Sequence, residues 1–338
     1  MQIFDFNVYL LVLLVGMALT FGFMNAFHDA AHAISTVVST RVLRPYQAVV
    51  LAACCNGLAI FFFPLAVAEA LAGGTVEAFA ADRLLVFGVL AGTIGWLLLA
   101  WLFGMPASAT HALVGALLGA AVASGGSDAL IAAGVIKVLA FVLLTPLLGF
   151  VFGTLSMIVI AWLYVRTTPR RIDKGFRRMQ LLSAGLYNLG HGANNAQKCM
   201  GMIWMLLLAG GGLQVQQAPP YWAIAGSHAV VALGTLFGGW RVVKTMGQKV
   251  THLKPVGGFC AETGAALTLI LANNLGVPVS PRQALTGAVI GIGSSQRMTA
   301  VRWNEAGRLV AAWVITIPAS AFAGAIAWWL GSEFLPGL

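Results

Sequence analysis

Two stretches of the chain repeat one another: residues 106–119 read PASATHALVGALLG, and residues 278–291 read PVSPRQALTGAVIG. They align without gaps, and seven of the 14 positions are identical, including the leading proline, the serine two residues later and two glycines. A looser match lies earlier in each half, where NAFHDAAH at 25–32 corresponds to GHGANNAQK at 190–198. The two motifs come in the same order and at similar spacing, so the chain is predicted to consist of two related halves.

The composition indicates a membrane protein. Of the 338 residues, 59% are hydrophobic and 9% are charged, whereas soluble domains have about 25% charged residues. So few charges could not cover a water-facing surface, which excludes a soluble enzyme. The net charge of +9 does not indicate a nucleic-acid partner, because the basic residues fall in short runs between apolar stretches. At roughly 20 residues per span, we expect an all-α polytopic membrane protein with about 10–12 transmembrane helices.

Some segments are too short or too polar to be ordinary spans. They are interrupted by Gly, Pro or polar residues and cover residues 26–38, 106–123, 181–208 and 278–293. Lipid cannot satisfy the hydrogen bonds of irregular backbone, so such segments must line a cavity or be buried in protein. We therefore predict interrupted helices and re-entrant segments, with the Gly-x3-Gly pairs of the repeated stretches serving close helix packing.

Charge asymmetry predicts the direction of each half. Residues 166–178 hold six of the 19 basic residues, and the positive-inside rule places them in the cytoplasm. Arg41 and Arg44, which follow the first polar motif, and the stretch 241–254 are expected on the same side. The chain then passes the first polar motif from outside to inside and the second from inside to outside.

We therefore predict two inverted repeats joined by a basic linker. The first repeat covers residues 1–165, the cytoplasmic linker 166–180 and the second repeat 181–338. Inverted repeats with interrupted helices are typical of secondary transporters, whose sites form where the two halves meet.

The first polar motif permits two interpretations. His28 and His32 lie one helical turn apart with Asp29 beside the first, which resembles the H-E-x-x-H of zinc proteases. Asp is shorter than Glu, however, and the second copy of the motif has neither histidine. Alternatively, Asp29 forms a cation or proton site, because intramembrane carboxylates are costly and usually face a pathway. The neutral oxygens of Asn194 and Asn195 suit a hard monovalent cation. The candidates for cation or proton coupling are Asp29, Asn194, Asn195, His28 and Glu262, the last of which could equally be a structural hydrogen-bond acceptor.

The two Pro-x-Ser segments have the chemistry of an anion site. Proline starts a helix, and the N–H groups of its first turn have no intrahelical partner and favour an anion. Ser108, Thr110 and Ser280 add hydroxyl donors, although a serine here could also simply cap a broken helix. The duplication favours the anion-site interpretation.

These motifs resemble those of the inorganic phosphate transporter (Pit) family. The matching segments are AFHDAAHA at 26–33, GMPASATH at 104–111, HGANNAQK at 191–198, GVPVS at 276–280 and the tail near 313–318. The resemblance implies two inverted repeats, a homodimer, and cotransport of inorganic phosphate with a proton or a sodium ion. It also implies a site with Asp29 and Asn194 near the cation and with Ser108, Thr110 and Ser280 near the phosphate.

The chain departs from the family pattern at three places. His32 replaces an Asn, Asn195 replaces an Asp, and Pro281-Arg282-Gln283 replaces Thr-Thr-His. One interpretation is that the fixed charge of Arg282 at the anion site substitutes in part for a coupled cation whose ligand Asn195 no longer provides. Arg suits bidentate oxyanion binding. Because these changes touch the site, a sulfate or other tetrahedral oxyanion permease is an alternative.

The sequence thus predicts a multi-pass inner-membrane transporter that imports phosphate with a proton or sodium ion. We expect a homodimer in the lipid bilayer, no nucleic-acid partner, no transition metal, no organic cofactor and no enzymatic activity. The anion-binding residues are predicted to be Ser108, Thr110, Ser280 and Arg282. The alternative of a different class is an intramembrane zinc metalloprotease that uses His28, Asp29 and His32.

Overall fold

A computed structural model describes residues 2–213, 217–245, 253–296 and 303–335. In these ranges the chain forms eleven α-helices and two short 3-10 helices, with no β-strand beyond one isolated bridge between Val76 and Leu130. The α-helices are α1 (Gln2–Ser39), α2 (Pro45–Leu58), α3 (Ala66–Gly73), α4 (Arg83–Leu102), α5 (Ala109–Gly125), α6 (Ala132–Leu163), α7 (Pro169–Ala209), α8 (Tyr221–Thr245), α9 (Pro255–Asn274), α10 (Pro281–Gln296) and α11 (Trp303–Phe334). The predicted all-α fold class is confirmed. Of the stretch 241–254 that was predicted to be cytoplasmic, residues 246–252 lie outside the described residues.

Seven of the described helices are long and apolar enough to cross a membrane, or up to eight if the bent pair α2 and α3 forms one span. The expected number of about 10–12 came from dividing the apolar residues among spans of roughly 20 residues. The count in the described ranges is lower in part because three of these spans are longer, with 32, 32 and 29 residues. Helix α10 has 16 residues, which makes it about 24 Å long and shorter than the roughly 30 Å hydrocarbon core. Helix α7 carries both the basic segment and the second polar motif.

Two helical hairpins interrupt the bundle at the repeated Pro-x-Ser segments. Residues 103–108 separate α4 from α5, and residues 275–280 separate α9 from α10; we call them the first tip and the second tip. Each tip turns at a glycine with a positive φ angle, +65° at Gly104 and +67° at Gly276, which a side chain would disfavour. The predicted interruptions within 106–123 and 278–293 are therefore present.

The interruptions predicted at the polar motifs are absent. Residues 26–38 continue the apolar stretch before them within α1, and residues 181–208 belong to α7, which runs unbroken for 41 residues. Neither segment contains a proline, which would remove a backbone hydrogen bond and clash with the preceding turn. Most of the basic linker 166–180 is also helical rather than a loop, because Pro169 begins α7 at a position that favours proline.

The repeated helices pack on the last helix of the opposite half. Helix α5 lies along α11, and α10 lies along α6. Gly115 of α5 approaches the backbone of Ile317, and Gly287 of α10 approaches that of Pro146, as expected of glycines that allow close helix packing. This reciprocal arrangement supports the proposal of an inverted repeat.

Two glycines in α4 provide a matched test of this packing. A Cβ at Gly92 would lie 2.5 Å from Gly324 Cα in α11, whereas a Cβ at Gly95 meets nothing within 4 Å. We expect Gly92→Ala to lower the free energy of unfolding by about 1–3 kcal/mol through overpacking. Gly95→Ala should leave it unchanged or slightly raised. Thermal unfolding of the two variants in detergent, followed by circular dichroism, checks this. Equal losses in both would contradict the proposed helix contact.

Candidate substrate site at the hairpin tips

The two hairpins approach each other inside the bundle and make contact at their tips. The hydroxyl of Thr110, in the first turn of α5, donates to the carbonyl oxygen of Val279 in the second tip at 3.0 Å. Arg282, in the first turn of α10, donates to the carbonyl oxygen of Ala107 in the first tip at 3.4 Å. Two helix N-termini thus meet at one place. Because the positive ends of two helix dipoles lie close together here, this place favours an anion.

The two serines of the repeat flank this contact. Ser108 is the N-cap of α5, and its Oγ accepts from the backbone N–H of His111 at 3.4 Å, a long hydrogen bond. Ser280 is buried directly before Pro281, the first residue of α10. Both serines therefore lie at helix starts. Ser108 caps α5, which is the alternative to an anion-binding role that the sequence left open.

Arg282 and Asp29 form a buried ion pair. A guanidinium nitrogen of Arg282 lies 2.8 Å from Asp29 Oδ1, and both side chains are about one-tenth exposed. The same nitrogen also donates to the backbone carbonyl of His28 at 3.3 Å. The sequence analysis assigned Asp29 to a cation site and Arg282 to an anion site. The structure instead brings them together, because the first turn of α10 faces the middle of α1.

A cavity of about 230 Å³ opens beside this ion pair. A water molecule takes about 30 Å³ in the liquid, so the cavity has room for a small solute with part of its hydration. Its walls come from α1, α4, the first tip and α10, and they include His28, Asp29, Met105, Ala107 and Arg282. The ion pair is therefore within reach of a solute that enters between α1 and α4.

Lys198 is a buried charged residue that was not among the predicted site residues. It is fully buried, and its Nζ donates to Thr110 Oγ1 at 2.7 Å, Val279 O at 2.7 Å and Asn195 Oδ1 at 3.0 Å. One ammonium group therefore connects α7 with both hairpins. The sequence did contain a signal for this residue, namely a lysine at the start of an apolar stretch. Charged residues inside a membrane are rare and usually have a function.

The two asparagines of the second polar motif have different partners. Asn194 holds the second tip: its amide nitrogen donates to Asn273 Oδ1 and Val277 O, and its oxygen accepts from Val279 N at 3.1 Å. Asn195 accepts from Lys198 and donates to His191 Nε2. Lys198 is thus the basic side chain that contacts Asn195, while Arg282 contacts Asp29.

Glu262 lies in a separate polar cluster between α1, α7 and α9. Its carboxylate accepts hydrogen bonds from Thr36 Oγ1, Gln180 Nε2 and Ser183 Oγ. Three hydrogen-bond donors satisfy the oxygens of this buried carboxylate and stabilise it in its position. The structure therefore favours the structural role that the sequence analysis left open for Glu262, away from the tip contact.

The sequence model of the Phosphate transporter family matches residues 25–324. The chain belongs to this family. It is 48% identical over 317 residues to a probable low-affinity inorganic phosphate transporter of Rhizobium meliloti, covering 94% of this chain and 95% of that protein. It is 35% identical to a protein of the same description from Bacillus subtilis, covering 96% and 98%.

A solved structure has the same fold. The sodium-dependent phosphate transporter superposes with a TM-score of 0.84 at 21% identity, covering 95% of this chain and 99% of that one. At this identity the likeness concerns the fold alone. It agrees with the helical, multi-span architecture described above.

Membership of a transporter family overturns the metalloprotease alternative. The relatives are named as transporters, so the chain is not an enzyme. The carboxylate of Asp29, which would have served as the catalytic base, is bound to Arg282. Within the described ranges, no three His, Cys, Asp or Glu side chains are grouped to hold a metal ion.

The ion pair predicts strong coupling between its partners. Removing one partner of a buried pair leaves an uncompensated charge, so Asp29→Asn or Arg282→Gln alone should lower the free energy of unfolding by about 3–5 kcal/mol. The double variant should lose much less than the sum. Denaturant titration of the purified variants in detergent measures all three. The exposed pair of Arg177 and Asp173, at 3.0 Å, is the control, and Asp173→Asn should change stability by less than about 1 kcal/mol. Additive losses at Asp29 and Arg282 would contradict the pairing.

Proposed function

We propose that the protein is a secondary transporter that imports inorganic phosphate across the inner membrane, driven by a proton or sodium gradient. The observation that carries this proposal is the meeting of two helix N-termini, those of α5 and α10, beside the buried guanidinium of Arg282. Two helix N-termini, where the helix dipole is positive, and a planar cation form a suitable site for a tetrahedral oxyanion. We infer that the oxyanion is phosphate because the relatives are named as inorganic phosphate transporters.

The charges at the tip contact favour an anion. Asp29 and Arg282 neutralise each other, and Lys198 adds one further positive charge. The Nε of Arg282 is buried and has no hydrogen-bond partner among the residues that the structure describes. Asp29 thus holds the guanidinium in place through another nitrogen, and the Nε donor is not used by any described residue.

A second cavity offers a second route by which a solute could reach the tips. It has a volume of about 460 Å³ and is lined by the second tip, α3, α6 and α7, including Glu69, Lys137, Trp204 and Gly276. The first cavity borders the first tip, so each of the two cavities is lined by a different hairpin tip. Transport by alternating access needs two such routes, opened in turn by movement of one repeat against the other.

The remaining features follow from the charge pattern and the family resemblance. We propose that residues 166–180 face the cytoplasm, as the positive-inside rule expects, and that the two inverted repeats bind phosphate between them. A homodimer is proposed on the resemblance alone. Asp29 remains the candidate for proton or sodium coupling, since its carboxylate borders the first cavity.

Uptake of labelled phosphate into proteoliposomes tests the proposed function. We expect uptake that is driven by a proton or sodium gradient, saturates with phosphate and is little affected by excess sulfate. Vesicles without protein and vesicles that contain the Asp29→Asn variant are the controls. Competition by sulfate as strong as that by unlabelled phosphate would favour the sulfate permease instead.

We expect the hydroxyl of Ser280 to contribute to phosphate binding. A hydrogen bond to a charged group contributes about 1.5–3 kcal/mol, so Ser280→Ala should weaken phosphate binding roughly tenfold to hundredfold. Ser280→Thr keeps the hydroxyl and should retain most of the affinity. Equilibrium binding of labelled phosphate to the purified variants measures both. Unchanged affinity in Ser280→Ala would remove the second tip from the anion site.

A further inference from the structure

A further cavity lies at the end of the bundle where α7 and α9 begin. It has a volume of about 720 Å³, and its walls come from α6 near its end, the first turns of α7 and α9 and the two residues before α9. The walls include Arg170, Asp173 and Lys254 together with the apolar side chains of Met157 and Ile172. We call it the basic cavity. It shares no lining residue with the cavity beside the tip contact, so it is separate from the proposed phosphate site.

The basic cavity has an excess of positive charge. Arg170 lies in the first turn of α7 and Lys254 directly precedes α9; both are exposed. No residue that the structure describes forms an ion pair with either of them. The carboxylate in the wall, that of Asp173, is already paired with Arg177 at 3.0 Å. An anion that enters the cavity therefore meets two positive side chains whose charge is not compensated.

The cavity lies beside a surface that faces lipid. Met157 is in the last two turns of α6, and this end of the helix exposes Trp162 and Leu163. Because α6 is one of the helices apolar enough to cross a membrane, these side chains contact lipid. A tryptophan near the end of such a helix is typical of the boundary between hydrocarbon and headgroups. The basic cavity thus lies at headgroup depth and combines apolar walls with basic side chains.

We propose that the basic cavity binds one anionic phospholipid of the adjoining leaflet, with its phosphodiester group between Arg170 and Lys254. The cavity volume corresponds to roughly 24 water molecules at about 30 Å³ each. This is far more than a single phosphate ion needs, and it has room for a headgroup with its glycerol. Basic pockets between membrane helices are suited to anionic headgroups. The bound lipid joins α7 to α9, the helices whose Asn194 and Asn273 are hydrogen-bonded beside the second tip. The inference does not depend on which solute is transported.

The first test uses the unchanged protein, purified in detergent. A scintillation proximity assay measures the binding of labelled phosphatidylglycerol, with unlabelled lipids as competitors. Each Lys or Arg near an anionic lipid contributes about fivefold to binding, so phosphatidylglycerol should compete about tenfold or more better than phosphatidylcholine. Equal competition by the two lipids would overturn the inference. Displacement by inorganic phosphate at constant ionic strength would also overturn it, because the cavity would then be a site for free phosphate.

The second test removes the two charges. Arg170→Gln combined with Lys254→Gln should weaken phosphatidylglycerol binding about tenfold or more. The control combines Lys174→Gln with Arg178→Gln, which removes the same charge from exposed positions of α7 outside the cavity, and it should bind like the parent. Equal losses in the two double variants would overturn the inference, since the attraction would then come from the whole basic segment. Unchanged binding in the first double variant would overturn it as well.

A third measurement follows the effect of the lipid on the fold. A ligand that binds the folded state raises the midpoint of thermal unfolding. Phosphatidylglycerol should therefore raise the midpoint of the parent and of the control variant more than phosphatidylcholine does. This difference should disappear when Arg170 and Lys254 are both replaced by Gln. A difference that persists in that variant would show that the anionic lipid acts at another place and would overturn the inference.

Discussion

The second tip is a helix interruption buried inside the bundle, where residues 276–280 are all buried. Its free backbone groups must be satisfied by protein, because neither lipid nor bulk water is available to do so. Helix α7 meets this constraint for the second tip. Asn194 accepts from the N–H of Val279 and donates to the carbonyl of Val277, while Lys198 donates to the carbonyl of Val279. The close passage of the hairpins and the position of the anion site both depend on these hydrogen bonds.

The same bonds link the fold to the proposed transport. Lys198 joins the two hairpins through Thr110 and Val279, so the tips can meet without placing a carboxylate between them. The carboxylate of Asp29 lies to one side, paired with Arg282 at the wall of the first cavity. This arrangement places the amine of Lys198 where the helix N-termini meet and the carboxylate of Asp29 at the wall of the first cavity. The second tip borders the other cavity.

Much of the fold could be predicted from the sequence, for identifiable physical reasons. The repeated Pro-x-Ser segments predicted both interruptions, since proline and glycine act locally on the backbone. The polar motifs misled because Asn, His and Gly inside an apolar stretch resemble an interruption. In α1 and α7 they lie on continuous helices. Proline and glycine therefore predicted the two interruptions of the helices, because these residues act on the backbone at their own positions.

The site was predicted only in part, because its pairings join residues far apart in the chain. Asp29 and Arg282 were each selected as intramembrane charges, but nothing local shows that α10 approaches α1. Lys198 was visible as a lysine in an apolar stretch, and its role depends on oxygens from α5 and the second tip. Glu262 was equally plausible as ligand or structural acceptor, and its three donors come from α1 and α7, which are distant in the chain.

The central claim is that an oxyanion binds where the N-termini of α5 and α10 meet. A cryo-electron microscopy map of the protein in lipid nanodiscs with saturating phosphate tests this most directly, compared with a phosphate-free map. The account predicts tetrahedral density within hydrogen-bonding distance of Ser280 and the Arg282 guanidinium, with the Lys198 ammonium still bound to Thr110 and Val279. Phosphate density elsewhere in the bundle, with the tip contact empty, would contradict it.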